Sequence, residues 1–502
     1  MVRLVALVLL VLAFLLPSSA AASSRQFSIL QDDANLLGLT DKDPDAAMAE
    51  AKHLGVDMVR AFVTWSFAAP SPDSKTRPKA FDPGDPRSGY DWRLYDAFVR
   101  RARRHGLKVF LTLAPPIPRW ASEEPSVCPH FTGGYPNLGK SCHWKPSPRA
   151  FGQFAKAVAL RYRRSGRFGG VDLYSIYNEP NLEQYLYPQG RGPRAGRGPV
   201  DLGARRYRAL WLAGWQSIAT YDPPMRGKVL FGETSAISAP LDHLYAALCL
   251  DDRGRPFRGR LRRLQGCSPR PRRLPIGGVA IHPYAPSAAG SVFTRARTAD
   301  SLTMAYLPRL HKLMARAARA GRIPAGRGVY VTEFGFQSKP PDSRRGLHPR
   351  AQARALNEAE RLFAKDRRVR SFAQFELFDV PEGKHSDVFN TGLRYRNGRL
   401  KPSWRAFRMP LTVSRMSRGA VEVWGQVRPP KGPVRLTLTT VRRAGGPVVI
   451  ARPRTNSSGY FRLVVRRRGA RRLRFQTRWR ARSGKLMTSR VATAGRRIQY
   501  LE

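Results

Sequence analysis

Acidic residues are scarce in this 502-residue chain: 35 Asp and Glu stand against 89 Lys and Arg, giving a net charge of +54. Cysteine is scarcer still, with four residues and no C-x-x-C spacing, which argues against a structural zinc site. Long apolar runs are missing too. The longest is Leu4 to Leu16, 13 residues, short of the ~20 that a membrane-spanning helix needs. There is no glycine-rich phosphate loop, no serine nucleophile elbow and no metal-ligand cluster, so three common catalytic chemistries lack their usual carriers.

With 42% hydrophobic residues the chain can bury a core, which excludes global disorder. Its start reads as an export signal over residues 1–22: Arg3 is the positive end, Leu4 to Leu16 the apolar stretch, and Ser19-Ala20-Ala21-Ala22 the small-residue cleavage region. An uncleaved anchor is the alternative. The mature chain is then expected to be secreted or cell-wall associated, without a transmembrane segment and monomeric. Four cysteines suit that oxidising setting. Cys128 and Cys142 bracket one loop, and Cys249 and Cys267 another, so two short-range disulfides are expected. A metal clip using His130 and His143 is the weaker option.

The positive charge fits a nucleic-acid binder in principle. Export places the chain away from nucleic acid, so a solvated arginine-rich surface that favours anionic polymers is the preferred reading.

Eight short apolar runs alternate with helical patterns. The runs are Phe27–Leu30, Asp57–Val63, Leu107–Leu113, Val171–Tyr177, Lys228–Phe231, Gly278–Ile281, Val329–Thr332 and Phe372–Phe375. The intervening helices are expected at Asp45–Leu54, Trp92–His105, Ala150–Arg164, Ala204–Thr220, Leu241–Leu250, Ser301–Ala320 and Arg350–Lys365, with Gly55 and Gly106 as stops. This is an α/β pattern that closes naturally into a (β/α)8 barrel over residues 23–409, with an open sheet as the alternative that the pattern also allows. Beyond Pro410 short alternating runs separated by turn residues predict a small β-sandwich over 410–502, carrying 23 Lys and Arg against two acids.

Two glutamates stand directly after strands. Glu179 lies in Tyr177-Asn178-Glu179-Pro180-Asn181 after the fourth, and Glu333 in Val331-Thr332-Glu333-Phe334-Gly335 after the seventh. Closure of the barrel brings both to one mouth. Paired carboxyls of this kind can protonate a leaving oxygen and attack or stabilise a sugar cation. Arg60 sits inside the second run, His282-Pro283-Tyr284 closes the sixth, and Trp120 follows the third.

On these residues the chain resembles clan A of the glycoside hydrolases, retaining barrel enzymes that include families 5 and 39. The resemblance covers residues 27 to 407. It implies Glu179 as acid/base, Glu333 as nucleophile, Asn178 against the sugar 2-hydroxyl, and Arg60 and Tyr284 bonded to the nucleophile. His282 matches a position of the pattern, and Trp120 offers an aromatic platform for sugar faces. No cofactor is implied, and the substrate is a poly- or oligosaccharide of plant, microbial or cell-wall origin. The eighth strand departs from the pattern. Where the clan often carries Trp, this chain reads Phe372-Ala373-Gln374-Phe375-Glu376-Leu377-Phe378-Asp379, which puts Phe375 or Phe378 in its place and Glu376 or Gln374 against substrate. Glu233 also ends a strand and is the carboxylate most easily mistaken for one of the pair.

Two other functions compete. A non-catalytic carbohydrate-binding barrel would hold the two carboxyls more than ~10 Å apart, outside both hydrolytic geometries. A cell-wall adhesion protein would use the basic C-terminal segment to bind an anionic polymer.

Overall fold

In the computed structural model the described residues are 26–128, 142–190, 200–287, 289–342, 346–380, 389–429, 432–442, 446–481 and 483–501. Residues 1–22, where an export signal is expected, and His130 lie outside them. Eight parallel strands pair in sequence order and close on themselves: β1 (Phe27–Gln31), β2 (Met58–Thr64), β3 (Lys108–Ala114), β4 (Leu173–Ile176), β5 (Val229–Ser235), β6 (Gly278–His282), β7 (Val329–Val331) and β8 (Val369–Phe375). Nearly every strand residue is buried, because helices cover the outer face while side chains fill the barrel.

A helix follows each strand: α1 (Pro44–Leu54), α2 (Arg93–Arg104), α3 (Pro148–Arg161), α4 (Leu202–Tyr221), α5 (Pro240–Ala247), α6 (Leu307–Arg319), α7 (Pro349–Ala364) and α8 (Pro402–Arg408). Their boundaries follow local chemistry. Asp43 caps α1 by accepting from the Asp45 N–H, and Pro44 occupies its first turn. Gly55 ends it at φ 82°, a left-handed turn that glycine adopts without strain. The helix expected at Ser301–Ala320 starts later, because Leu302 and Thr303 are drawn into loop contacts before a 3-10 turn at Met304–Tyr306. Helix α8 escaped the sequence reading, since seven residues give too little periodicity to see.

The four cysteines form the two expected bridges, Cys128–Cys142 and Cys249–Cys267.

After the barrel come two antiparallel sheets. One orders β13 (Tyr460–Val465), β10 (Val421–Gln426) and β9 (Leu411–Arg415). The other orders β12 (Val448–Ala451), β11 (Thr437–Thr440), β14 (Arg474–Arg480) and β15 (Leu486–Thr488), with β16 (Ala492–Thr493) on β14. One apolar cluster joins both sheets, with Val413, Val423 and Phe461 meeting Leu438, Phe475 and Met487. This small sandwich is fastened to α7. Glu360 pairs with Arg428 in full burial, Arg361 bonds Glu422 at 2.7 Å, and Arg490 bonds Asn357 at 2.9 Å. Arg428 also packs over Gly55, where any side chain would collide with it.

Burial pushes the Glu360 carboxyl up to about 7 even though the charge of Arg428 opposes it. Arg428→Met is therefore expected to destabilise the fold by about 3–5 kcal/mol, because it leaves a buried acid without its partner. The loss should be smaller at pH 5, where Glu360 takes up a proton, than at pH 8. Urea unfolding at the two pH values checks this.

Candidate active site

Sequence and backbone act together at the C-terminal ends of β4 and β5. Tyr177, Glu179 and Glu233 all take positive φ (70°, 41° and 49°), a region that costs a non-glycine residue roughly 1–2 kcal/mol. Such outliers collect at functional sites, where the surroundings hold them. Here the holding groups are visible. The Glu179 N–H donates to the Glu233 carbonyl at 2.9 Å. Asn181 accepts from the Ser235 N–H at 3.0 Å and donates to the Ile237 carbonyl at 2.7 Å. The loop bearing Glu179 is thus laced to the end of β5.

Arg60 occupies the floor of the mouth with no solvent contact. Its Nε donates to Thr112 at 2.9 Å, one terminal nitrogen to Glu333 at 3.2 Å and to Gln31, and the other to Glu233 at 2.8 Å. Tyr284 donates to the second oxygen of Glu333 at 3.0 Å, and burial together with the Glu333 charge keeps its phenol protonated. Two donors therefore converge on the Glu333 carboxylate, stabilising negative charge there.

Across the mouth, burial raises the Glu179 carboxyl above its ordinary value, while the bond to His282 opposes the rise. His282 stands between the acids, with Nδ1 at 2.9 Å from Glu179 and 3.8 Å from Glu333, and Nε2 at 2.7 Å from Glu233. One oxygen each from Glu179 and Glu333 and a ring nitrogen of His282 lie within 4.8 Å of one another. Both carboxyls are mostly buried yet reachable, at 8% and 7% exposure. Beside them Asn178 is buried with a side-chain oxygen that has no hydrogen-bond partner. Arg60, Glu179, His282, Tyr284 and Glu333, picked out from sequence, meet in one place, and Asn178 directly precedes Glu179.

The remaining expectations divide. Gln374 is occupied: its amide donates to the carbonyls of Phe375, Glu376 and Thr391. Glu376 is 2% exposed and keeps one oxygen without a partner. Burial pushes its carboxyl well up, and Asp32, Asp379, Glu333 and Asp33 push the same way. Phe375 meets Phe389 edge-on at 5.4 Å, and Phe389 lies 6.0 Å from Tyr284, so Phe375 with Phe389 lines the wall where Phe375 or Phe378 was expected. Phe389 stands too far past the strand to have been visible in the sequence. Trp120 is half-buried, donating to the Pro70 carbonyl at 3.1 Å and touching Trp65 and Phe81 edge-on. Trp65 itself is a core residue, fully buried and stacked on Phe154. Glu233 belongs to the cluster, sealed beneath it.

The chain matches no family model and no curated protein. Among solved structures it is similar to a glucosidase from Croceicoccus marinus, at 13% identity and a TM-score of 0.51 over 88% of this chain and 93% of that one. A family 39 glycoside hydrolase from Bacteroides cellulosilyticus aligns at 15% identity and a TM-score of 0.48, over 88% of this chain and 82% of that one. At such identities the first likeness is one of fold: the chain shares the barrel architecture of a glycosidase.

Proposed function

We propose that this chain is an exported, retaining glycoside hydrolase that cleaves O-glycosidic bonds of a poly- or oligosaccharide, with Glu333 as nucleophile and Glu179 as acid/base. The observation that carries the reading is the carboxyl separation. Oxygens of the two glutamates lie within 4.8 Å, close to the ~5–5.5 Å of double displacement and short of the ~6.5–9.5 Å that admits a water for inversion. It also argues against the non-catalytic barrel, whose carboxyls would stand wider apart.

In the first half-reaction a Glu333 oxygen bonds to the anomeric carbon as the glycosidic C–O bond breaks, and Glu179 gives its proton to the departing oxygen. In the second, Glu179 takes a proton from water, whose oxygen displaces Glu333 from the sugar. Tyr284 and Arg60 hold the nucleophile in place, and Asn178 offers its unpaired oxygen to a sugar hydroxyl. The apolar start and the 23 cations of residues 410–502 support action outside the cell near an anionic polymer.

The wall beside Glu333 narrows the sugar. Asp32, Asp33, Glu376 and Asp379 gather at the ends of β1 and β8. The nearby cations are engaged: Lys401 bonds Asp379, Ser338 and the Asn390 carbonyl, and Arg60 is bound as described. Burial raises Asp32 and Asp33 only to about 6, so both stay largely ionised at neutral pH and the wall favours an uncharged sugar over a uronic acid. A panel of aryl glycosides tests both parts. Neutral glycosides are expected to exceed the matching uronides in kcat/KM by at least about tenfold, with proton NMR showing the first-formed product in the substrate's anomeric configuration. An inverted product, or hydrolysis of none of the panel, would overturn the reading.

A further inference from the structure

Glu233 is fully enclosed and out of reach of substrate, yet Arg60, Thr332, His282 and the Glu179 backbone all bond to it. Strand β5 is irregular at this point: its pairing with β6 shifts between Gly232 and Thr234, and Gly232 takes φ 114°. The bulge leaves the Glu233 backbone in the left-handed region, a local cost that regular pairing would have avoided. In return the residue faces two ways. Its carbonyl receives the N–H of Glu179. Its carboxylate oxygen receives Arg60 at 2.8 Å, Thr332 at 2.8 Å and His282 Nε2 at 2.7 Å.

We propose that Glu233 is a positioning residue that fixes a proton on Nε2 of His282, so that Nδ1 of His282 and Glu179 share the proton delivered to the leaving group. The inference rests on Glu179 being the acid/base. Its logic is one of donors and acceptors. An ionised carboxylate only accepts, so the ring nitrogen facing Glu233 must carry hydrogen. Burial pushes Glu233 up, but the charge of Arg60 and the bond to His282 prevail and hold it down at about 2. The opposite ring nitrogen then faces Glu179 across 2.9 Å with one proton between them, on either nitrogen or oxygen.

Burial drives His282 down, yet the charge of Glu333 and the bonds to Glu179 and Glu233 raise it to about 10. The pair therefore stays stocked with one proton at neutral pH. When the aglycone departs, that proton leaves on its oxygen, by way of Glu179, and the imidazole remains neutral with Nε2–H on Glu233. The attacking water later returns a proton to Glu179, which restores the pair.

Glu233→Gln keeps the size of the side chain and removes its charge. The alkaline limb of kcat/KM, which reports the essential acid, is expected to move down by at least about one pH unit, while Glu233→Asp retains the charge and restores part of the shift. A folded Glu233→Gln variant with the wild-type alkaline limb would overturn the proposal. If that variant fails to fold, nitrogen NMR of the wild-type protein labelled in its nine histidines decides, with His282 assigned by difference against His282→Asn. A protonated Nε2 from pH 6 to 9 is expected, and a neutral ring protonated only on Nδ1 overturns the idea. Failure of the glycosidase reading shows separately, as no hydrolysis of any glycoside of the panel by the wild-type protein, and failure of the acid/base assignment as undiminished turnover of natural-leaving-group substrates by Glu179→Ala.

Discussion

Glu333→Ala is expected to lower kcat by at least about 10⁴-fold on every substrate, because no second group can form the bond to the anomeric carbon. The side chain lies between Arg60 and Tyr284, so its removal opens a small space lined by a cation and a phenol. Azide fits that space and can attack from the same face. Activity is then expected to return with added azide, and the glycosyl azide formed should have the anomeric configuration opposite to the substrate. Glu179→Ala should behave differently. An aryl glycoside whose leaving group needs no proton keeps much of its glycosylation rate, whereas an alkyl glycoside loses about 10²- to 10⁴-fold. Product NMR of the two variants with azide checks both assignments at once. Equal behaviour of the variants would refute the separate roles.

Arg60→Met is expected to cost about 3–5 kcal/mol of stability and nearly all activity. The side chain is the shared partner of two carboxylates, Glu233 and Glu333, and its guanidinium also lies 4.8 Å from the centre of the Phe62 ring. Methionine replaces the volume and leaves Glu233 with no permanent cation beside it. The pH dependence follows from the direction of the Glu233 shift. Its folded value of about 2 lies below the ordinary 4.5, so the stabilisation it confers is complete above 4.5 and is lost as pH falls through 2. The difference between wild type and variant should therefore be widest above pH 4.5 and should close toward pH 2. Urea midpoints measured across that range would show a constant gap if Arg60 only filled space.

The two predictions differ in how visible their residues were from sequence. Glu179 announces itself through Asn-Glu-Pro after a strand, a local signal that owes nothing to tertiary contact. Glu333 needed the alternation of strands and helices to count it to the seventh strand. Arg60 was legible through the resemblance, which places an arginine inside the second strand and bonds it to the nucleophile. Glu233 carried the same surface signal as the catalytic pair, a glutamate at a strand end, yet its carboxylate is spent inward. A one-residue bulge made that choice. The side-chain period in a strand is two, so a single extra residue turns a side chain to the other face, and no pattern of apolar residues records it.

What the sequence by itself determined was the alternating α/β order, the two disulfide pairs, and the six residues of the mouth: Arg60, Asn178, Glu179, His282, Tyr284 and Glu333. Hydrophobic periodicity encodes the strand order that places them, and the resemblance to clan A glycoside hydrolases singled out the residues themselves. The tertiary structure alone decided the 4.8 Å reach between the two carboxyls and His282, the place of Glu233 beneath them, and the use of Phe375 with Phe389 as the aromatic wall. It also showed the basic C-terminal sheets clamped to α7 by the Glu360–Arg428 and Arg361–Glu422 pairs. These are contacts between residues tens to hundreds of positions apart, and their geometry follows from barrel closure, a bulge and buried charge pairing, none of which leaves a periodic trace in the chain.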